Sequence, residues 1–410
     1  MYRNAAFGML ALVLGCLLPQ SADAGGRVSE DLIKARQLFF GVENVNARSG
    51  AVDKDKVIFS WATNSTLAVS VKGRIVLLDS YVHRLEKQPG RTPFVLSDLV
   101  NLEPEAIFLG HGHNDHAANA AYLSATLSIP IYASAETCDA MQVDAARLLT
   151  AGKITVSSVE CHAVTSAGSL PGAEVVKLSQ LEPVACITAF KHLHSTTVPT
   201  DTSFPIIPVL NIADPRDPQL FPPGTPEDPI FNTSGGAGGP ISLFFQFVTH
   251  GDNHFAFVWH NTTGALKEGC GLDQCYGPEV GQRLVDIMGA LPPTDIEFGS
   301  MVSLGYPTNG MRDVVLYNQA IEPKVYVPVH QTNAALPSSS LEFKVSYLKQ
   351  LDAMNVPLDQ RPEPRWMVDP NDYLKPMVYD PEDKRWSKDR RSARHGGGSK
   401  QHGAADSFCR

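Results

Sequence analysis

An α/β fold is predicted by two features of the chain: an early meander of short strands, and apolar strand-like runs that later alternate with helical periods. The meander begins at Lys56. Val57-Ile-Phe-Ser-Trp61, Thr66-Leu-Ala-Val-Ser-Val71 and Arg74-Ile-Val-Leu-Leu-Asp79 are apolar, β-branched runs, and Lys72-Gly73 supplies the turn between the last two. Ile107-Phe-Leu109 reads as the end of a buried strand, and the alanine-rich stretch Ala117 to Ala125 as the helix that follows it. Ser128 to Tyr132 is a further strand, and Ala135 to Leu149 a helix by its periodicity. After a second β-rich passage, Val184-Ala-Cys-Ile-Thr188 opens a strand that runs toward His192 and His194. Ile241 to His250 and His254 to Asn261 form a hairpin around Gly251-Asp-Asn253. Gly277 to Leu291 and Asp313 to Glu322 read as helices, Asp295 to Phe298 and Lys324 to His330 as strands.

Met1 to Ala24 carries one early Arg3, an apolar run from Ala5 to Leu18 and Ala22-Asp23-Ala24, which is a signal-peptide pattern with an A-x-A cleavage site. Export to a periplasm or the exterior is therefore expected, as a soluble protein with no membrane span; lipidation through Val13-Leu-Gly-Cys16 is the alternative. Residues 25–380 are expected to form one domain, with a Pro/Gly-rich insertion at 197–240 and a disordered basic tail at 381–410. Prolines at the density of Phe204 to Pro240 forbid regular helix or central strand; because the segment leaves directly from His194 and carries apolar residues between its prolines, it is expected to form an ordered lid beside the site of chemistry, with a surface insertion packed on itself as the alternative. Net charge is −9, yet Lys384 to Arg410 holds eight Lys/Arg and two Asp/Glu. The body is thus acidic and offers no basic stripe for nucleic acid. Export permits disulfides. Cys270-Gly-Leu-Asp-Gln-Cys275 is the best candidate bridge, Cys138 with Cys161 a second, and Cys186 reads as a small buried hydrophobe.

The chemistry is concentrated in Phe108-Leu-Gly-His-Gly-His-Asn-Asp-His-Ala117, which packs His111, His113, Asp115 and His116 into six residues on a strand-to-helix loop. Imidazoles and a carboxylate are ligands that zinc prefers, and less selectively manganese or iron. In an extended segment the side chains of i and i+2 face the same way, so His111 and His113 can reach one ion while Asp115 and His116, past the turn, reach toward a second. Gly110 and Gly112 keep the loop tight. Asn114 or Asp115 can also cap the helix, which is compatible with ligation.

His111-Gly-His-Asn-Asp-His116 resembles the signature of the metallo-β-lactamase fold hydrolases, and the resemblance extends over roughly Val57 to Met354. It implies an αββα sandwich with one or two metal ions at its end. It also implies a third histidine ligand after the strand at Val184, which His194 or, two residues earlier, His192 can supply. The family's terminal histidine of the second site would be His330, at the end of Lys324-Val-Tyr-Val-Pro-Val-His330. Asp79 would support the metal loop by accepting the second N–H of a ligand histidine, although a strand-end aspartate can equally start a turn with Ser80. The chain departs from the family at the bridging carboxylate, where it reads His260-Asn261-Thr-Thr-Gly264. Asn261 is the expected equivalent, with Asp252 of the hairpin turn as the rival. The His-Ser third motif and the late Pro-Val-His look similar to the branch of ascorbate-6-phosphate lactonases and N-acyl phosphatidylethanolamine phospholipase D.

These features together predict a metal-dependent hydrolase in which His111, His113 and His194 hold a first zinc ion, while Asp115, His116, His330 and Asn261 face a second, weak or absent one. Asp115 would also take the proton of the attacking water. A small-molecule ester, lactone or phosphodiester is the expected substrate. The competing prediction is a secreted binding protein on a degenerate form of the fold, its metal structural or lost, and Asn261 is the feature that supports it.

Overall fold

The computed structural model describes residues 28–82, 95–204, 239–330, 338–367, 372 and 374–386. The signal-like segment 1–24, most of the insertion expected to act as a lid, and residues 387–410 lie outside them. The strands are β1 (Val57–Thr63), β2 (Thr66–Val71), β3 (Arg74–Leu78), β4 (Ala106–Phe108), β5 (Ile131–Ser134), β6 (Cys161–Thr165), β7 (Val175–Leu178), β8 (Ala185–His192), β9 (Ser242–Thr249), β10 (Ala256–His260), β11 (Ile296–Ser300), β12 (Val325–Val329), β13 (Glu363–Pro364) and β14 (Met377–Tyr379). The helices are α1 (Glu30–Phe40), α2 (Leu96–Leu102), α3 (Asn114–Ala117), α4 (Ala120–Leu127), α5 (Ala135–Thr150), α6 (Pro278–Ala290), α7 (Tyr306–Asn309), α8 (Arg312–Ile321) and α9 (Ser338–Ala353). None of the described helices is long and apolar enough to cross a membrane.

The strands form two seven-stranded mixed sheets, in the orders β14-β1-β2-β3-β4-β5-β6 and β13-β12-β11-β10-β9-β8-β7. Strands β1, β2, β8 and β9 are buried along their whole length, which is why they read as near-continuous apolar runs. One core joins the sheets. Phe59 of β1 meets Phe257 and Phe298 of the other sheet at 4.8 and 4.4 Å between ring centroids, and Phe108 of β4 meets Phe245 and Phe247 edge-on. Phe39, Leu99, Leu123 and Met141 extend that core to α1, α2, α4 and α5. Across the other sheet, α6 and α8 cover Phe190, Phe244 and Val258 with Leu284, Met288, Tyr317 and Ile321. The architecture is thus helices, sheet, sheet, helices: the αββα arrangement that the motif implied.

Three local departures from expectation have physical causes. The helix expected from Ala117 is split into α3 and α4, because Asn119 sits in the left-handed region at φ 72° and its side-chain amide donates to Ser80 O. Residues 381–386, assigned from the sequence to the tail, fold onto the body. Trp386 is buried against Phe255 and Tyr379, and its indole N–H donates to Asp380 O. Cys138–Cys161 and Cys270–Cys275 both form disulfides; Cys186 is disulfide-bonded as well, rather than being only a small hydrophobe.

The stem of the insertion is held by charge. Arg312, fully buried at the start of α8, meets Asp201 Oδ2 at 2.6 Å, grips Glu268 through two bonds of 2.8 and 2.7 Å, and meets Asp313 Oδ1 at 2.6 Å. Lys267 closes on Asp201 from the other side at 2.8 Å. Removing a buried partner leaves the others uncompensated. Arg312→Ala is therefore expected to lower stability by about 3–5 kcal/mol in urea denaturation; a loss below about 1 kcal/mol would show that the cluster is effectively solvated.

Candidate metal centre

The donors all lie just beyond strand ends at one edge of the sandwich, where the chain leaves the sheets and backbone turns can aim polar side chains at one another. Residues 109–116 follow β4, Asp79 follows β3, His194 follows β8, Asn261 follows β10 and His330 follows β12. Asn64 turns the chain between β1 and β2. The metal loop is pinned by backbone bonds: Leu243 N donates to Gly110 O at 2.7 Å, Gly112 N to Gly239 O at 3.2 Å and Ala117 N to His113 O at 2.9 Å. Ser195 N donates to Thr262 Oγ1 at 2.9 Å, which sets His194 against the residues after β10. Three of these strand-end residues hold left-handed backbone: Asn64 at φ 53°, Asp79 at 56° and His330 at 74°. Such conformations cost about 1–3 kcal/mol each and persist where surrounding structure fixes them, commonly at functional sites.

Two adjoining groups of donors result. In the first, His111 Nε2 lies 3.0 Å from His113 Nδ1 and 3.3 Å from His194 Nε2. In the second, His116 Nε2 lies 3.1 Å from His330 Nε2 and 3.4 Å from Asp115 Oδ2, and His330 Nε2 lies 3.7 Å from the same oxygen. Within each group the donor atoms all fall within 4.8 Å of one another. The groups touch through the rings of His111 and His116, whose centroids are 4.1 Å apart.

Imidazole nitrogens facing one another at this spacing cannot all carry protons, and the environment keeps most of these rings neutral. Burial, aided by the neighbouring His116, His194 and His113, pushes His111 well below the ordinary imidazole range. Burial likewise lowers His113, takes His194 down to about 3 and takes His330 down to about 4. His116 differs: burial would lower it, but Asp79 and Asp115 outweigh burial and raise it. Burial opposes ionisation of Asp115, yet His116, His330 and the Asn64 amide prevail and hold it below the usual carboxylate range. Neutral imidazoles with inward lone pairs, beside one half-exposed carboxylate, fit a divalent cation by donor chemistry.

The partners behind the donors are equally defined. His116 Nδ1 donates to Asp79 Oδ2 at 2.7 Å, His194 Nδ1 to Ser195 O at 2.8 Å, and His111 Nδ1 pairs with Asn261 Oδ1 at 2.8 Å. Asn261, expected among the ligands, thus has its carbonyl on His111, and its Nδ2 donates to Asp79 Oδ2 at 2.9 Å. Asp252 stays in the β9–β10 turn, at the other end of the hairpin from Asn261. His192 is not brought to the donors; its Nδ1 faces the Tyr317 hydroxyl at 3.1 Å and its ring packs near Phe244 and His260. Strand β8 ends at His192, so the same-face rule for i and i+2 does not carry over to His194. Sequence reasoning missed Asn64, whose Nδ2 donates to Asp115 Oδ2 at 3.0 Å and whose carbonyl accepts from His330 N at 2.9 Å. An asparagine between two strands was the signal available.

Exchanging the two rival histidines gives a direct test of this geometry. His194→Ala is expected to weaken cobalt(II) or zinc binding by more than the roughly 10–100-fold that losing an outer partner costs, whereas His192→Gln leaves it within a few-fold. Metal titration of both variants decides it; equal losses would place His192 among the ligands.

The sequence profile of the metallo-beta-lactamase superfamily matches residues 61–266. Among solved structures, the chain is similar to Igni18, a metallo hydrolase from the hyperthermophilic archaeon Ignicoccus hospitalis, with 12% identity, 79% of this chain and 98% of that chain covered, and a TM-score of 0.44. It is also similar to the isothiocyanate hydrolase from Delia radicum gut bacteria, at 13% identity, 79% and 99% coverage and a TM-score of 0.42. A third similar structure is CmlA, a diiron β-hydroxylase from Streptomyces venezuelae, at 10% identity, 79% and 54% coverage and a TM-score of 0.41. No curated protein matches the chain. With half of its length matched by that family, and with its histidines gathered at the strand ends of an αββα sandwich, the chain belongs to the metallo-beta-lactamase superfamily.

Proposed function

We propose that this protein is an exported zinc-dependent hydrolase acting on an ester, lactone or phosphodiester of a small molecule. The observation that carries the reading is the pair of adjoining donor groups, His111-His113-His194 and Asp115-His116-His330, at the edge of the sandwich. A divalent ion bound there supplies Lewis acidity, which polarises a scissile carbonyl or phosphoryl oxygen and brings a water's pKa toward neutrality. Every other part of the chemistry falls to the chain. Asp115, held ionised and half-exposed with Oδ2 fixed by Asn64, orients the attacking water and accepts its proton at that oxygen. Buried His111 and His194 keep their lone pairs directed inward because their other nitrogens are occupied. Export is supported by the pattern of residues 1–24 and by the disulfides Cys138–Cys161 and Cys270–Cys275, since such bonds persist in oxidising compartments.

The two groups differ in strength. The first offers three imidazoles, two of them buried; the second is more open, and no carboxylate at position 261 offsets repulsion between two cations a few ångströms apart. One zinc ion is therefore expected to survive mild chelation while a second is lost, as read by elemental analysis. Two equally tight ions would contradict this.

His111→Ala combined with His113→Ala is expected to abolish zinc retention and turnover of a panel of lactones, aryl esters and bis-aryl phosphodiesters. The melting temperature is expected to change little, because the core is built from the strands and helices beneath the loop. A double variant that kept both metal and rate would end the assignment. Tightly held zinc in the wild type with no hydrolysis of any substrate would instead favour a binding protein on a degenerate form of the fold.

A further inference from the structure

We infer that Asn261 is a positioning relay that couples the two donor groups through Asp79, rather than a ligand. The connection runs without a break from one group to the other. His111 Nδ1 meets Asn261 Oδ1 at 2.8 Å, Asn261 Nδ2 meets Asp79 Oδ2 at 2.9 Å and Oδ1 at 3.2 Å, and Asp79 Oδ2 meets His116 Nδ1 at 2.7 Å. All four residues are buried. Solvent therefore cannot substitute for a missing partner, and each bond constrains the next.

Donor and acceptor capacities fix the direction of the chain. A carboxylate only accepts, and Asp79 already takes Gly110 N–H at 3.1 Å, so the amide must turn its NH2 toward Asp79. Its carbonyl then faces His111, which must donate from Nδ1. Asp79 imposes the same requirement on His116. One carboxylate thus selects the Nδ1-protonated tautomer of a histidine in each group, directly for His116 and through Asn261 for His111, and leaves both Nε2 lone pairs facing inward. The backbone makes room for this arrangement. A Cβ at Gly110 would run into the Asn261 side chain, so the glycine beside the metal loop is the socket of the relay.

An aspartate at position 261 would lack the donor that Asp79 receives here and would bring two buried carboxylates together. The amide keeps the bond to His111 while adding a donor, which explains how the chain accommodates asparagine at the place of the family's carboxylate.

The experiment has two arms, the first independent of metal. Long-range proton–nitrogen NMR of the metal-free protein in mildly alkaline buffer is expected to show His111 and His116 both protonated on Nδ1. His111 protonated on Nε2 would reverse the amide and overturn the relay. The second arm is a double-mutant cycle read by cobalt(II) titration at the His111-His113-His194 group. Asp79→Asn, which touches neither His111 nor His194, is expected to weaken that site about 10-fold in the wild type and to add nothing in an Asn261→Leu background. An additive effect would overturn the coupling, since Asp79 would then act through Gly110 or His116 and not through Asn261. The inference rests on the ligand assignment above. If cobalt(II) binds nowhere, that assignment fails, and the metal-free spectrum still decides the relay.

Discussion

Asp79 is the constraint on which the site depends. It is fully buried at the end of a core strand, and a buried carboxylate without donors would cost several kcal/mol. Three groups meet the requirement, two from the segment after β4, the Gly110 amide and His116, and one from after β10, the Asn261 side chain. Asp79 N in turn donates to Phe108 O, and Ser80 N to His116 O, so the turn after β3 and the loop after β4 hold each other in register. The two sheets are joined at this edge by polar bonds, as their middle is joined by the rings of Phe59, Phe108 and Phe257. The site inherits its geometry from a requirement of folding, because the donors that satisfy Asp79 include the residues that orient the inward nitrogens of His111 and His116.

Burial and acid–base state follow from the same placement. Rings packed at the strand ends lose solvent, so their charged forms are disfavoured; Asp115 also draws protons toward His113 and His330, but only at His116, where Asp79 adds its charge, do the carboxylates outweigh burial. One histidine therefore retains a raised affinity for a proton amid neutral neighbours. A proton is thus held more strongly at that ring than at the imidazoles of the first group.

Much of the fold was legible because its strands are buried on both faces and read as unbroken apolar runs: β1, β2, β8, β9 and β12 occur where the sequence placed them, within a residue or two. Helices α5, α6 and α8 were equally clear from their periodicity. The His111 to His116 cluster was legible because its residue types and spacing have few structural explanations. What escaped the sequence depends on contacts between distant segments. Asn64 reads as an ordinary turn residue, and only the fold brings its amide to Asp115. Asn261 reads as a substituted ligand, and nothing in its spacing shows that its amide nitrogen donates to Asp79. The choice between His192 and His194 turns on where β8 stops, which spacing alone does not fix. Trp386 lies among basic residues that look like a tail, but its ring has Phe255 and Tyr379 to pack against.

The central claim is that the inward nitrogens of His111, His113 and His194 form one cation site, with Asn261 behind it rather than in it. Anomalous diffraction at the zinc absorption edge, on crystals of the zinc-loaded protein, tests this most directly. The account predicts a strong peak bonded to His111 Nε2, His113 Nδ1 and His194 Nε2, at about 2.0–2.1 Å each, with the Asn261 carbonyl still on His111. A principal peak elsewhere, or one ligated by Asn261, would contradict it.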